Sequence, residues 1–155
     1  MKISTKGRYA LRMMLDLAMH PEGFVALKDI AERQSISKKY LEQIVPMLNK
    51  AELLRTNRGY QGGYMLAKKP SEYPVGEILQ VTEGSLSPVA CLQYEVNDCP
   101  MADTCMTLPV WKGLYRTIQD YLYSITLQDI IDNTVEHGNN FCSYCIVPYV
   151  RGRER

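Results

Sequence analysis

Histidine is nearly missing from this 155-residue sequence, which holds two. Neither His20 nor His137 sits at a spacing that suits a metal ligand or a catalytic base, and both read as surface residues. There is no nucleophile–base arrangement and no glycine-rich phosphate loop, so an enzyme with its own small-molecule substrate is not expected. No apolar run approaches the roughly 18 residues of a membrane span. The opening Met1-Lys2-Ile3-Ser4-Thr5-Lys6-Gly7-Arg8 leads into an amphipathic pattern rather than the apolar stretch of a signal peptide, so a cytoplasmic protein with no membrane partner is expected. Internal repeats are absent. Large net charge is absent too, at +1, and 46% hydrophobic with 23% charged residues is ordinary globular composition.

The charges that exist are sorted along the chain. Residues 1–70 carry 13 Lys and Arg against 6 Asp and Glu, a net of +7. Residues 71–150 carry 2 against 10, a net of −8, and Arg151 to Arg155 return +2. A basic half joined to an acidic half is the asymmetry of a chain that meets a polyanion at one end.

The basic half has a recognisable order of elements. Ala10, Met13, Met14, Leu17 and Ala18 form one buried helical stripe, predicting a helix from Ser4 or Thr5 to His20. A short helix over 27–34 turns Leu27, Ile30 and Ala31 inward. Ser37 then caps a third helix that reaches about Ala51, with Leu41, Ile44, Val45 and Leu48 inside and a local kink expected at Pro46. Two helices about a tight turn make a helix-turn-helix, and the start of the second offers Lys38, Lys39, Tyr40 and Gln43 outward. Strands over 53–56 and 64–66 flank a tip with three glycines in five positions (Gly59, Gly62, Gly63), and Arg55, Arg58, Lys68 and Lys69 surround it. A basic hairpin after a helix-turn-helix is a wing, placed to reach phosphates or the minor groove. The expected fold is therefore mainly α with a small β wing, and the expected partner is a double-stranded DNA operator.

Past Pro70 the acidic half opens with a short helix over 74–81 that packs back on the domain. The expected units are 1–84 as the DNA-binding domain, 85–108 as a cysteine-bearing loop, 109–134 as a long helix plus a short one, and 135–155 as a tail. In the long helix, Trp111, Leu114, Ile118, Tyr121 or Leu122, and Ile125 recur three and four apart. Such a seam packs either on the chain's own domain or on the same helix of a second subunit. Readers of this kind span two half-sites, which favours a homodimer.

Cys91, Cys99 and Cys105 place three thiols within fifteen residues of an irregular segment. Thiolate suits iron–sulphur clusters and zinc, but the spacing is neither a zinc ribbon nor a ferredoxin run, so inert or oxidisable thiols stand beside a metal centre as readings. Cys142 and Cys145 form a C-x2-C near the end, open to metal, dithiol cycling or no role.

The opening segment to Ala10, Tyr40-Leu41-Glu42-Gln43, Arg58-Gly59-x-x-Gly62-Gly63-Tyr64 and Val75-Gly76-Glu77-Ile78 together resemble the Rrf-two family of bacterial winged-helix regulators. The resemblance implies a dimer through the long helix and a sensor in the cysteine loop. It implies an iron–sulphur cluster of the two-iron type held by Cys91, Cys99 and Cys105, as in IscR-like members, which can be lost from the purified protein. Phosphate contacts are expected from Lys2, Lys6, Arg8, Lys39 and Arg55, and base or groove contacts from Ser37, Lys39, Tyr40, Gln43, Arg58 and Gly59. Glu42 matches a glutamate that sets site selectivity in IscR-like relatives. The fourth ligand departs from the pattern: Leu108 stands where IscR-like members have histidine, and Arg8 where NsrR-like members have aspartate. Asp103, Thr107, a small molecule or a C-terminal cysteine all remain open. Two other readings stand beside this: a cluster-free thiol or cysteine-metabolism regulator of the CymR-like kind, and an electron-transfer iron–sulphur protein, which leaves the wing unexplained.

Overall fold

A computed structural model describes residues 2–59, 62–94 and 96–132. Six α-helices and one two-stranded antiparallel sheet are present among them: α1 (Thr5–Ala18), α2 (Leu27–Gln34), α3 (Lys38–Lys50), β1 (Leu54–Asn57), β2 (Gly63–Leu66), α4 (Val75–Glu83), α5 (Leu108–Ser124) and α6 (Leu127–Ile131). The short helix expected over 127–134 ends at Ile131; residues 133–155, with Cys142 and Cys145, lie outside the described residues.

The stripe read on α1 is the heart of the core. Ala10, Met13, Met14 and Leu17 are buried against Ile30, Leu41, Ile44 and Leu48 of α2 and α3. α3 runs through Pro46 to Lys50, close to the expected end at Ala51. The ring sits at an exposed position, and the hydrogen bond forfeited is the one its missing N–H would make to the Glu42 carbonyl. Ser4 caps α1, accepting from the Gly7 N–H at 3.2 Å, while its own N–H and hydroxyl donate to Glu83 Oε1 at 3.0 and 2.8 Å. The first turn of α1 is thereby fastened to the last turn of α4. A Cβ at Gly7 would overlap that carboxylate and push it off Ser4.

Asp16 and Tyr73 carry polar groups into this apolar packing. Asp16, on α1, is 1% exposed. It accepts two hydrogen bonds from the Arg33 guanidinium, at 3.0 and 2.6 Å, and one from Gln34 Nε2 at 3.0 Å. The ring of Tyr73 is fully buried, its hydroxyl donates to the Leu53 carbonyl at 2.8 Å, and it accepts from the Ala67 and Lys68 N–H groups at 2.8 Å each. Burial pushes its pKa up, against the pull of those two amides. One phenol thus ties together the two feet of the hairpin, before β1 and after β2. Tyr73→Phe should cost about 1–3 kcal/mol, because it leaves the Lys68 N–H without its acceptor, while the Ala67 N–H and the Leu53 carbonyl keep only their mutual bond of 3.3 Å. Urea unfolding measures the loss, and hydrogen exchange at Ala67 and Lys68 should accelerate ahead of the core.

The acidic half closes on the same frame. The chain leaving α5 pairs with the segment before α4: Val75 N–H donates to the Ile125 carbonyl at 2.8 Å and Leu127 N–H to the Tyr73 carbonyl at 3.1 Å. Tyr115, Leu122 and Ile125 pack on the small core of Val75, Leu79 and Leu86. Gly76 lets the Tyr123 ring lie against α4, since a Cβ there would overlap it. The expected seam therefore divides. Leu122 and Ile125 serve the chain's own domain, whereas Leu114 and Tyr121 remain exposed at 43% and 42%. No residue of α5 is buried.

Candidate nucleic-acid interface and cysteine loop

Between α3 and the hairpin lies an open groove of about 740 Å³. Its walls are Lys28 at the start of α2, Lys38, Glu42, Pro46 and Asn49 along α3, and Thr56, Asn57, Arg58 and Gly59 on the hairpin. Ser37 sets the near end: its hydroxyl accepts from the Tyr40 N–H at 3.3 Å, so the first turn of α3 is capped and aimed. Thr56 Oγ1 donates to Asn49 Oδ1 at 3.0 Å, linking β1 to the far half of the helix.

The hairpin is held at its glycines for two separate reasons. Gly59 has φ +131°, a conformation L side chains rarely adopt. Gly63 has a different task. Val25 pairs with Tyr64 as a third, one-residue strand, exchanging N–H to carbonyl bonds of 2.9 Å in both directions. A Cβ at Gly63 would sit 2.5 Å from the Val25 carbonyl oxygen. Gly63→Ala should therefore open this pairing at a cost of about 1–3 kcal/mol. It should weaken DNA binding, with exchange at the Val25 and Tyr64 amides reporting the opening.

The expected contact residues distribute as follows. Arg58, Gly59 and Glu42 line the groove, and Ser37, Lys39 and Gln43 are exposed on α3 beside it. Arg55 is exposed on β1. Lys2, Lys6 and Arg8 lie apart, at the start of α1; Arg8 donates to Thr5 Oγ1 at 3.0 Å. Tyr40 differs from the outward position expected of it. It is half-buried, its ring edge-on to Tyr9 with centroids 5.2 Å apart at 75°. Glu42 lies 3.7 Å from Lys38 Nζ, a solvent-exposed pair worth little energetically that offsets one positive charge in the groove. Sequence reasoning missed Lys28. Its signal was present, because position 28 faces away from the Leu27–Ile30 stripe in the first turn of the helix that leads to α3.

The cysteine loop, 85–107, contains two short 3-10 turns, Ala90–Leu92 and Ala102–Thr104. Cys91 and Cys99 line one recess of about 320 Å³ with Tyr94, Val96 and Asp98. Cys105 does not line that recess and lies three positions before the start of α5. Its Sγ is 3.4 Å from Thr107 Oγ1, and hydrogen bonds from that hydroxyl and from the Thr107 and Leu108 N–H groups lower its pKa. Among the described residues no three His, Cys, Asp or Glu side chains converge as a metal site. The three thiols suit an iron–sulphur cluster in kind, and a lowered thiol pKa suits a ligating thiolate. Their placement does not form a closed site. Leu108, half-buried and apolar, supplies no fourth ligand, and the Thr107 hydroxyl already meets Cys105 and the Trp111 indole N–H, the latter at 3.3 Å.

Comparison with known proteins adds the context of the groove. The profile of a family described as Rrf2, iron-dependent transcriptional regulator, matches residues 3–133. Protein rrf2 of Nitratidesulfovibrio vulgaris is 38% identical over 144 residues, 92% of this chain and 95% of the relative. The HTH-type transcriptional regulator IscR of Pectobacterium atrosepticum is 41% identical over 134 residues, 86% of this chain and 80% of the relative. Among solved structures, CymR, the global cysteine regulator of B. subtilis, superposes with a TM-score of 0.69 at 38% identity, covering 86% of this chain and 98% of that one.

Proposed function

From the premise that this chain belongs to the Rrf2 family of transcriptional regulators, we propose that it is a homodimeric DNA-binding repressor whose operator affinity is set by the state of Cys91, Cys99 and Cys105. The observation that carries the reading is the groove between a capped helix start and a glycine-braced hairpin, bordered by Lys28, Lys38 and Arg58. Beside it, the exposed Ser37, Lys39 and Gln43 meet base edges in the major groove of DNA, and Arg58 and the Gly59 backbone reach the flanking backbone or minor groove. Lys28, Arg55, Lys2, Lys6 and Arg8 neutralise phosphates, and Glu42 disfavours bases that offer it no donor. Two subunits join through the α5 face that bears Leu114 and Tyr121, which places two recognition helices at two half-sites. No helix among the described residues is long and apolar enough to cross a membrane. The relatives are regulators rather than enzymes, and a cytoplasmic location is the corresponding expectation.

For the sensor, Cys91, Cys99 and Cys105 would hold an iron–sulphur cluster of the two-iron type through thiolate sulphur. When bound, the cluster supplies a redox- and iron-dependent crosslink across the loop. The chain's own part is mechanical. Residues 91–105 end three positions before α5, so ordering the loop biases the helix on which the dimer rests, and only a difference in DNA affinity between the two states regulates. The apolar Leu108 and the unclosed arrangement support a second reading, in which the thiols act without a cluster as in a CymR-like regulator.

Protein prepared without oxygen separates the two. Bound iron and sulphide, with a change in promoter affinity once they are removed, support the cluster sensor. Colourless protein whose affinity responds to thiol oxidation supports the second reading. Equal affinity and equal salt dependence in every state would end both.

A further inference from the structure

The groove explains which side chains face DNA but not what fixes the angle of the recognition helix. A chain of polar and aromatic contacts behind it does. Tyr40, in the first turn of α3, rests on Tyr9 of α1 at a centroid distance of 5.2 Å. Arg12, one turn further along α1, places its guanidinium 5.7 Å from the Tyr9 ring centroid. The same guanidinium donates through Nε to Gln34 Oε1 at 3.2 Å and through a terminal nitrogen to the Gln34 carbonyl. Gln34 is the last residue of α2, and its amide nitrogen donates to the buried Asp16. Ser35, which follows it, makes the turn with φ 52° and ψ 43°, the left-handed region that a residue with a side chain enters only when its surroundings impose it.

We infer that Arg12 is a positioning residue for sequence readout. It closes the helix-turn-helix turn through Gln34 and seats the recognition helix through Tyr9 and Tyr40, without itself bonding DNA. The fork geometry of arginine is what the arrangement uses. One edge satisfies a carbonyl left over at the end of α2, while the flat face of the same group covers an aromatic ring. A wrong helix angle misplaces Lys39 and Gln43 relative to base edges, whereas phosphate contacts tolerate such shifts. The effect should therefore fall on discrimination rather than on overall attraction to DNA. This inference rests on the DNA-binding reading above.

The test uses the full-length protein and a library of duplexes with a randomised core, from which the wild type selects its preferred sequence. Affinities for that selected duplex and for sheared genomic DNA are then measured as a function of salt. Arg12→Met should lose roughly tenfold in the ratio of selected to sheared affinity, the size of one misread base pair. Its affinity for sheared DNA and its salt slope should not change. Arg12→Lys, which keeps the charge but not the fork, should lose discrimination as well. Combined with Tyr40→Leu, the losses should be less than additive, since both break one contact chain. A salt slope reduced by about one in Arg12→Met but intact in Arg12→Lys would make Arg12 a phosphate contact and overturn the inference. So would an unchanged ratio, additive losses, or an equal fall on both DNAs. If the wild type selects no sequence at all, the DNA-binding reading itself fails.

Discussion

Asp16→Ala is expected to lower stability by about 3 kcal/mol, the cost of breaking a buried ion pair by removing one partner, taken at its lower end because Arg33 can turn to water. Asp16 is 1% exposed and meets Arg33 and Gln34, while the partner's side chain is 36% exposed. Burial acts to raise the Asp16 pKa. Hydrogen bonds from Arg33 and Gln34, with the charges of Arg33 and His20, outweigh it and hold the carboxyl below the usual range. The sign of the pH dependence follows. A depressed folded pKa contributes stability that is complete above the unfolded value of about 3.9 and is lost as pH falls through the folded value. Wild-type protein should therefore lose stability below about pH 4 more steeply than Asp16→Ala does. Urea titrations at neutral and acid pH, at one fixed protomer concentration, measure both effects. Parallel acid limbs would remove Asp16 from the account of how α1 and α2 are joined.

The other large effect concerns assembly. Leu114 is 43% exposed and lies outside the cluster that α5 forms with α4, so Leu114→Glu should leave the protomer folded. Across a two-fold helix seam it would set two carboxylates in apolar surroundings. The variant should sediment as a monomer, and operator affinity should fall about 100-fold or more, because the second half-site contact is no longer intramolecular. An unchanged mass with unchanged affinity would move the dimer interface away from α5.

Much of this architecture can be read from periodicity. The stripe on α1, the inner face of α3 and the basic hairpin appear as spacings in the chain, and the structure carries Ala10 to Ala18 and Leu41 to Leu48 where those spacings put them. What escaped was long-range and polar. Asp16 meets Arg33 across 17 positions, and Tyr73 meets Leu53 across 20, distances over which no local pattern operates. Gly63 was legible as a hairpin glycine, but its demand comes from Val25, which lies 38 positions away and outside every element that the spacing marks. Tyr40 looked outward on a helical wheel and is half-covered by Tyr9, which the wheel of one helix cannot show. The cysteines were plain in number and spacing. Their relative placement depends on an irregular loop, where neither helical nor strand period applies.

The central claim is that the groove between α3 and the hairpin receives DNA, and the most direct test is the salt dependence of duplex binding for the wild type and for Arg58→Ala. The account predicts that log affinity falls steeply with log salt for the wild type. Arg58→Ala should bind more weakly, with its slope reduced by about one ion where Arg58 meets a phosphate, or unchanged but with relaxed sequence preference where it reads the groove. Wild-type affinity indifferent to salt, or an Arg58→Ala variant that matches the wild type in affinity, slope and preference, would contradict it.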